Sequence, residues 1–137
     1  MKDFERHATR LPEVIRKRCR HVVTENARTL NAAEALKEND FTAFGRLMWM
    51  SHKSLSEDYE VSCRELDLLV EIASRGEGVL GGRMTGGGFG GSTVNLVQRE
   101  SVENFTKKIS TEYRRQTGIE PAVYVSSPAD GARELSI

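Results

Sequence analysis

These 137 residues hold little that could staple a chain or carry it across a bilayer. There are two cysteines, Cys19 and Cys63, which are far apart and match no metal or disulfide spacing, and two unpaired thiols fit a reducing cytosol. No apolar run approaches the roughly 18 to 20 residues of a membrane helix. The N-terminus, MKDFERHATRLP, carries acids and has no apolar centre, so it does not read as a signal peptide. An excess of one charge is also lacking. Twenty Lys and Arg stand against 20 Asp and Glu, which argues against a dedicated nucleic-acid or polyanion binder. His7, His21 and His52 show no metal spacing. What remains is a cytosolic globular domain, with enough apolar residues, 38%, to fill a core.

Helices dominate the first half. From Glu13 to Lys37 the residues Ile15, Cys19, Val22, Leu30, Ala33 and Leu36 keep mostly three- and four-residue steps, after a Pro12 that a first turn tolerates. Asp40 can cap a second helix with Phe41, Phe44, Leu47, Met48 and Leu55 on one face. Ser62-Cys63-Arg64-Glu65 has the capping-box form ahead of a third, striped by Leu66, Leu69, Val70 and Ala73 and stopped at Gly76. The second half changes character. Val79–Thr85 and Ser92–Gln98 read as short strands. Ser101 caps a helix with the stripe Val102, Phe105, Ile109 and Tyr113, ended by Gly118. Ala122–Val125 reads as a further strand, and Ala132–Ser136 as an edge strand after the turn Pro128-Ala129-Asp130-Gly131. Helices first and strands later imply an α+β fold with a small, mainly antiparallel sheet. One domain spans 1–137: a helical part, 12–76, and a β-β-α-β part, 77–137.

Between the first two strands lies Met84-Thr85-Gly86-Gly87-Gly88-Phe89-Gly90-Gly91-Ser92. Gly86, Gly88 and Gly91 fit G-x-G-x-x-G, but a dinucleotide fingerprint needs a helix after it, and Ser-Thr-Val-Asn-Leu-Val is a strand pattern. No Gly-Lys-Ser/Thr follows for a Walker loop. One or two glycines would satisfy a hairpin. Five in six positions suggest a backbone that comes close to a ligand or another loop, with bare N–H groups able to face anionic oxygens.

Here the residues resemble a known family. Gly82-Arg83-Met84-Thr85 and the glycines after it look like the third signature motif of galactokinases, in the GHMP kinase superfamily. Arg20-His21-Val22-Val23-Thr24-Glu25, Phe44-Gly45-Arg46-Leu47-Met48, Ser51-His52-Lys53-Ser54-Leu55, Asp58-Tyr59-Glu60-Val61-Ser62-Cys63 with Glu65-Leu66-Asp67, and the tail Asp130-Gly131-Ala132 resemble further segments in the same order. Arg64 stands where that family usually has proline, and Ser92 where it has cysteine.

The resemblance implies the C-terminal domain type of GHMP kinases, a ferredoxin-like sheet with helices packed on it. It implies ATP-dependent phosphorylation of galactose at the 1-hydroxyl, with Mg2+, by the complete enzyme. The sugar-recognition motif, the nucleotide-phosphate loop and the catalytic aspartate have no counterpart here. The chain then corresponds to the C-terminal portion, inactive alone, supplying no catalytic residue or metal ligand and binding no cofactor tightly by itself. Galactose and ATP would be met through the remaining half, in the cytoplasm. The resemblance implies substrate-binding roles for Gly86, Gly87 and Gly88, with Gly87 foremost, and loop support from Met84, Thr85, Phe89, Gly90 and Gly91, Phe89 by packing. Arg83 suits a phosphate or an acid in the sheet equally, His7, His21 and His52 solvated or supporting roles, and the run Arg16, Lys17, Arg18, Arg20 a solvated helix face. The alternative is a stand-alone, non-catalytic small-molecule-binding or dimerisation module, self-associating through an exposed interdomain face.

Overall fold

The computed structural model describes residues 2–129 and residue 131. In chain order it holds α1 (Lys2–His7), α2 (Glu13–Lys37), α3 (Phe41–Ser54), α4 (Arg64–Ser74), β1 (Val79–Thr85), β2 (Ser92–Val97) and α5 (Val102–Thr117). The fold is α+β: five helices and a two-stranded antiparallel sheet. Asp40 caps α3 as expected, accepting the Ala43 N–H at 2.8 Å. No described helix is long and apolar enough to cross a membrane.

The main core lies between α4 and α5. Ile72 and Ala73 meet Phe105, Ile109 and Tyr113, with Trp49, Val79 and Val97 packed against them. Each large side chain removed from water there contributes about 1.5–3 kcal/mol. A second cluster joins Leu55, Leu66 and Met84, flanked by Val61 and Cys63. It sits under the end of β1, where the glycine loop begins.

Helix α3 lies against β1 at backbone contact. A Cβ on Gly45 would stand 2.0 Å from the Leu80 carbonyl oxygen, and one on Gly81 would stand 2.5 Å from the Gly45 Cα. Only glycine lets the two main chains come this close. The strand pairs Met84 with Thr93 and Gly81 with Leu96, with a bulge between Val79 and Gly81. The bulged Leu80 carbonyl accepts the Trp49 indole N–H at 3.0 Å.

Several sequence expectations are corrected. The capping box does not close. Helix α4 begins at Arg64 behind Cys63, with no side-chain cap, because the Ser62 hydroxyl donates to Asp67 at 2.6 Å instead. Ser101 likewise gives no side-chain cap; its own N–H bonds Gln98 in the single 3-10 turn Arg99–Ser101 that leads into α5. The apolar stripe of α2 is not its inner face. Ile15, Val22, Leu30 and Leu36 are exposed, and His21 and Ala35 are buried. On α3, Phe41 is exposed, while Ser51, His52 and Ser54 join Met48 inside. Ala122–Val125 forms no strand: it pairs with neither strand of the sheet, and Val123, Tyr124 and Val125 stay exposed. The expected edge strand Ala132–Ser136, and Asp130 and Ala132 of the tail, lie outside the described residues.

Candidate functional site

The glycine loop spans residues 86–91 and is held from two sides. Its first stem is Met84, 1% exposed, in the cluster with Leu55 and Leu66. Past the stem, Thr85, Gly86 and Gly87 are exposed. The middle of the loop is pinned by main chain: the Phe89 N–H donates to the Val61 carbonyl at 2.7 Å. A Cβ on Gly88 would stand 2.1 Å from that same oxygen, and its φ of +84° is left-handed. Gly88 is thus required by the chain itself. Phe89 holds the loop with its backbone, while its ring is 76% exposed.

Gly87 differs from its neighbours. Its φ lies outside the left-handed region, and no heavy atom stands within 4 Å of the place a Cβ would take. Gly86, Gly90 and Gly91 also face open space, but each has a positive φ. Among the described residues, neither conformation nor crowding accounts for a glycine at 87.

Val61 is presented by a segment of unusual backbone. One π turn, Leu55–Tyr59, follows α3, and Glu60 then takes φ 57°, ψ 44°, a left-handed geometry rare outside glycine. Cations of α2 hold it there. Lys17 Nζ donates to Glu60 Oε1 at 2.8 Å, and Arg18 reaches Glu60 Oε2 and the Asp58 carbonyl, each at 2.6 Å. Arg20 meets Asp58 Oδ1 at 3.0 Å. Hydrogen bonds from Lys17 and Arg18 hold the Glu60 carboxyl at about 2. Lys17, Arg18 and Arg20 of the basic run thus clamp residues 58–60, on a face that stays open to solvent. Tyr59 stacks on His21 with ring centroids 4.5 Å apart. An open groove of about 650 Å³ runs between α2, at Cys19 and Val22, and the Val61–Phe89 contact.

The stem is fixed by side chains. The Met84 N–H donates to His52 Nδ1 at 3.2 Å, and His52 Nε2 meets Asp67 Oδ1 at 3.1 Å. Burial pushes the His52 ring below the usual imidazole range, outweighing the pull of Asp67 in the other direction. Arg83 Nε donates to the Met84 carbonyl at 3.1 Å, and its Nη1 lies 3.4 Å from Glu25 Oε1. Arg83 thus pairs with an acid on α2. Burial would raise the Glu25 carboxyl, but the Ser51 hydroxyl, Arg28 and Arg83 together hold it below its ordinary value. The Glu25 group and the His52 bridge are invisible to motif spacing, because their partners come from α2, α3, α4 and β1. The one sequence hint is polar: Ser51 and His52 interrupt the apolar face of α3.

Comparison with known proteins places this arrangement. Residues 32–115 match the family described as GHMP kinases C terminal. The galactokinase of Clostridium beijerinckii is 53% identical over 119 residues, 87% of this chain and 31% of that protein. The galactokinase of Bacillus subtilis is 46% identical over 134 residues, 97% of this chain and 34% of that protein. The crystal structure of Lactococcus lactis galactokinase complexed with galactose superposes with a TM-score of 0.83 at 42% identity, covering 87% of this chain and 31% of that one. L. major mevalonate kinase, in complex with R-mevalonate, is more distant, with a TM-score of 0.56 at 28% identity over 62% of this chain and 26% of that one. The chain spans about a third of the length of the curated relatives it matches. With a family match over most of its helices and both strands, the chain belongs to the GHMP kinase C-terminal family.

Proposed function

We propose that this chain is the C-terminal portion of a galactokinase and closes the sugar and phosphate region of the complete enzyme with residues 86–88. The observation that carries the reading is Gly87. Its lack of a side chain has no cause among the described residues, and a surface reserved for another molecule supplies one. The galactokinases of Clostridium beijerinckii and Bacillus subtilis, about half identical to this chain, supply the substrate class.

Phosphoryl transfer rests on positioning and charge stabilisation more than on covalent chemistry by the protein. On this reading the chain contributes a wall of bare main chain. Successive glycine amides come within hydrogen-bonding distance of sugar hydroxyls or phosphate oxygens because no Cβ intervenes. Val61 and His52 keep that wall from drifting. ATP and Mg2+ are served by the rest of the enzyme. Among the described residues no cluster of three or more His, Cys, Asp or Glu is placed to hold a metal.

The test is complementation. The purified chain is mixed with the N-terminal two-thirds of the Clostridium beijerinckii enzyme, and galactose-dependent ADP release is followed. Release that needs both pieces is expected. No release from the pair, or release from the chain alone, overturns the reading.

A second reading, a stand-alone binding or dimerisation module, draws on the outer face of α2, where Ile15 and Val22 are each 49% exposed and Leu30 is 70% exposed. In the first reading the rest of the kinase covers that face; in the second, another copy does. A tight dimer by light scattering, together with calorimetric sugar or nucleotide binding, would favour the second.

A further inference from the structure

We infer that His52 is a positioning residue for the glycine loop: its Nδ1 accepts the Met84 amide and so fixes the stem that carries Gly86 to Gly88, while Asp67 on α4 sets the tautomer of the ring. What the loop contacts rests on the function proposed above; the anchorage does not.

Geometry leaves the ring one arrangement. Nδ1 lies 3.2 Å from the Met84 nitrogen, whose hydrogen must go to it, so Nδ1 carries no proton. The proton then sits on Nε2, 3.1 Å from Asp67 Oδ1, and the ring donates there. Asp67 is itself held in place, accepting from Ser62 at 2.6 Å and from Ser56 at 3.2 Å. His52 is 7% exposed and Met84 is 1% exposed, so water is poorly placed to replace the bond between them, whereas the Asp67 side chain is 46% exposed. A buried amide left unpaired is costly, which ties the stem to the ring. The charged groups facing the ring are Asp67 from α4 and Arg83 from β1; burial and Arg83 both disfavour the cation that would break the Met84 bond.

A ring that only tied α3 to α4 would need Nε2 alone. The bond from Nδ1 to the main chain of the loop stem is what such a tie does not require. Two near-isosteres separate the roles. His52→Asn puts an amide oxygen near the place of Nδ1, able to accept from Met84 but too short for Asp67. His52→Gln reaches the place of Nε2 and Asp67, and leaves the Met84 amide unpaired.

The measurement is amide hydrogen exchange at residues 84–91 of this chain, with ring nitrogen shifts of His52 read by NMR. The wild-type ring is expected as the Nε2–H tautomer. The Asn variant should keep Met84 exchange within about twofold of wild type, and the Gln variant should raise it about tenfold, with the loop amides following. An Nδ1–H tautomer, Gln protection equal to wild type, or Asn exchange as fast as Gln would overturn the inference and leave His52 as a tie between helices. The readout involves no sugar. A failed complementation leaves it standing, and a failure here leaves the glycine reading intact.

Discussion

At the start of β1, a Cβ on Gly81 would lie 2.5 Å from the Gly45 Cα, and one on Gly82 would lie 2.6 Å from the Asn95 side chain. Five residues beyond Gly82, Gly87 has no neighbour within 4 Å. Both stretches are rich in glycine, yet the first is glycine because the chain is crowded and the second although the chain is absent. Crowded glycines serve the fold. An uncrowded one with an ordinary φ, such as Gly87, is not accounted for by the fold. Glycine content alone cannot separate the two; the surroundings of each Cα can.

That contrast can be broken by substitution. The largest effect is expected from Gly45→Ala. Its added carbon would meet backbone rather than a yielding side chain, and a loss above about 3 kcal/mol should appear in urea denaturation. If Gly45→Ala were harmless, the close approach of α3 to β1 would not be what makes that residue glycine. Next comes Met84→Ala at the boundary between the two stretches, where emptying a buried site should cost about 2–4 kcal/mol by the same assay.

The third effect is a pH dependence. Burial lowers the His21 and His52 rings below their ordinary 6.5 in the folded chain. As pH falls through 6.5, the unfolded chain takes up protons before the folded one does. The stabilisation is therefore complete above that value and is lost toward the folded values. The urea midpoint should drop between about pH 7.5 and about pH 5.5. Glu25 and Glu60 are lowered as well, but they act only as pH falls below 4.5, so they leave this window clear. A flat midpoint would show that the rings are not kept neutral by folding.

The smallest effect on stability, and the most telling, belongs to Gly87→Ala. The urea midpoint should imply a change within about 0.5 kcal/mol, because the added methyl meets nothing. Galactose-dependent ADP release in the complementation assay should nevertheless be lost. A variant that folds and still supports full release would return residue 87 to ordinary loop status.

Much of the secondary structure was legible in the sequence because it rests on local periodicity. The bounds of α2, the strands on either side of the glycines and the buried stripe Phe105, Ile109 and Tyr113 of α5 all follow from spacing. Spacing failed where partners were distant. Helix α2 buries His21 and lines its inner side with Glu25 and Arg28, so its apolar stripe pointed to the wrong face. Ser62 looked like a helix cap until Asp67 competed for its hydroxyl. Alternating β-branched residues at 122–125 express a preference for a pleated surface, and no strand of this sheet pairs with them. At the site, the glycines themselves announced a close approach. That Gly88 answers to Val61, while Gly87 answers to nothing in the described chain, depends on contacts between segments distant in sequence.

The side chains gathered along β1 have one more effect. An unpaired strand margin offers a ladder onto which other chains can add and aggregate. Here the Trp49 indole occupies the Leu80 carbonyl, His52 occupies the Met84 amide and Arg83 the Met84 carbonyl. Three of the groups a newcomer would grip are thus already engaged, by side chains of helix α3 and by the strand's own arginine.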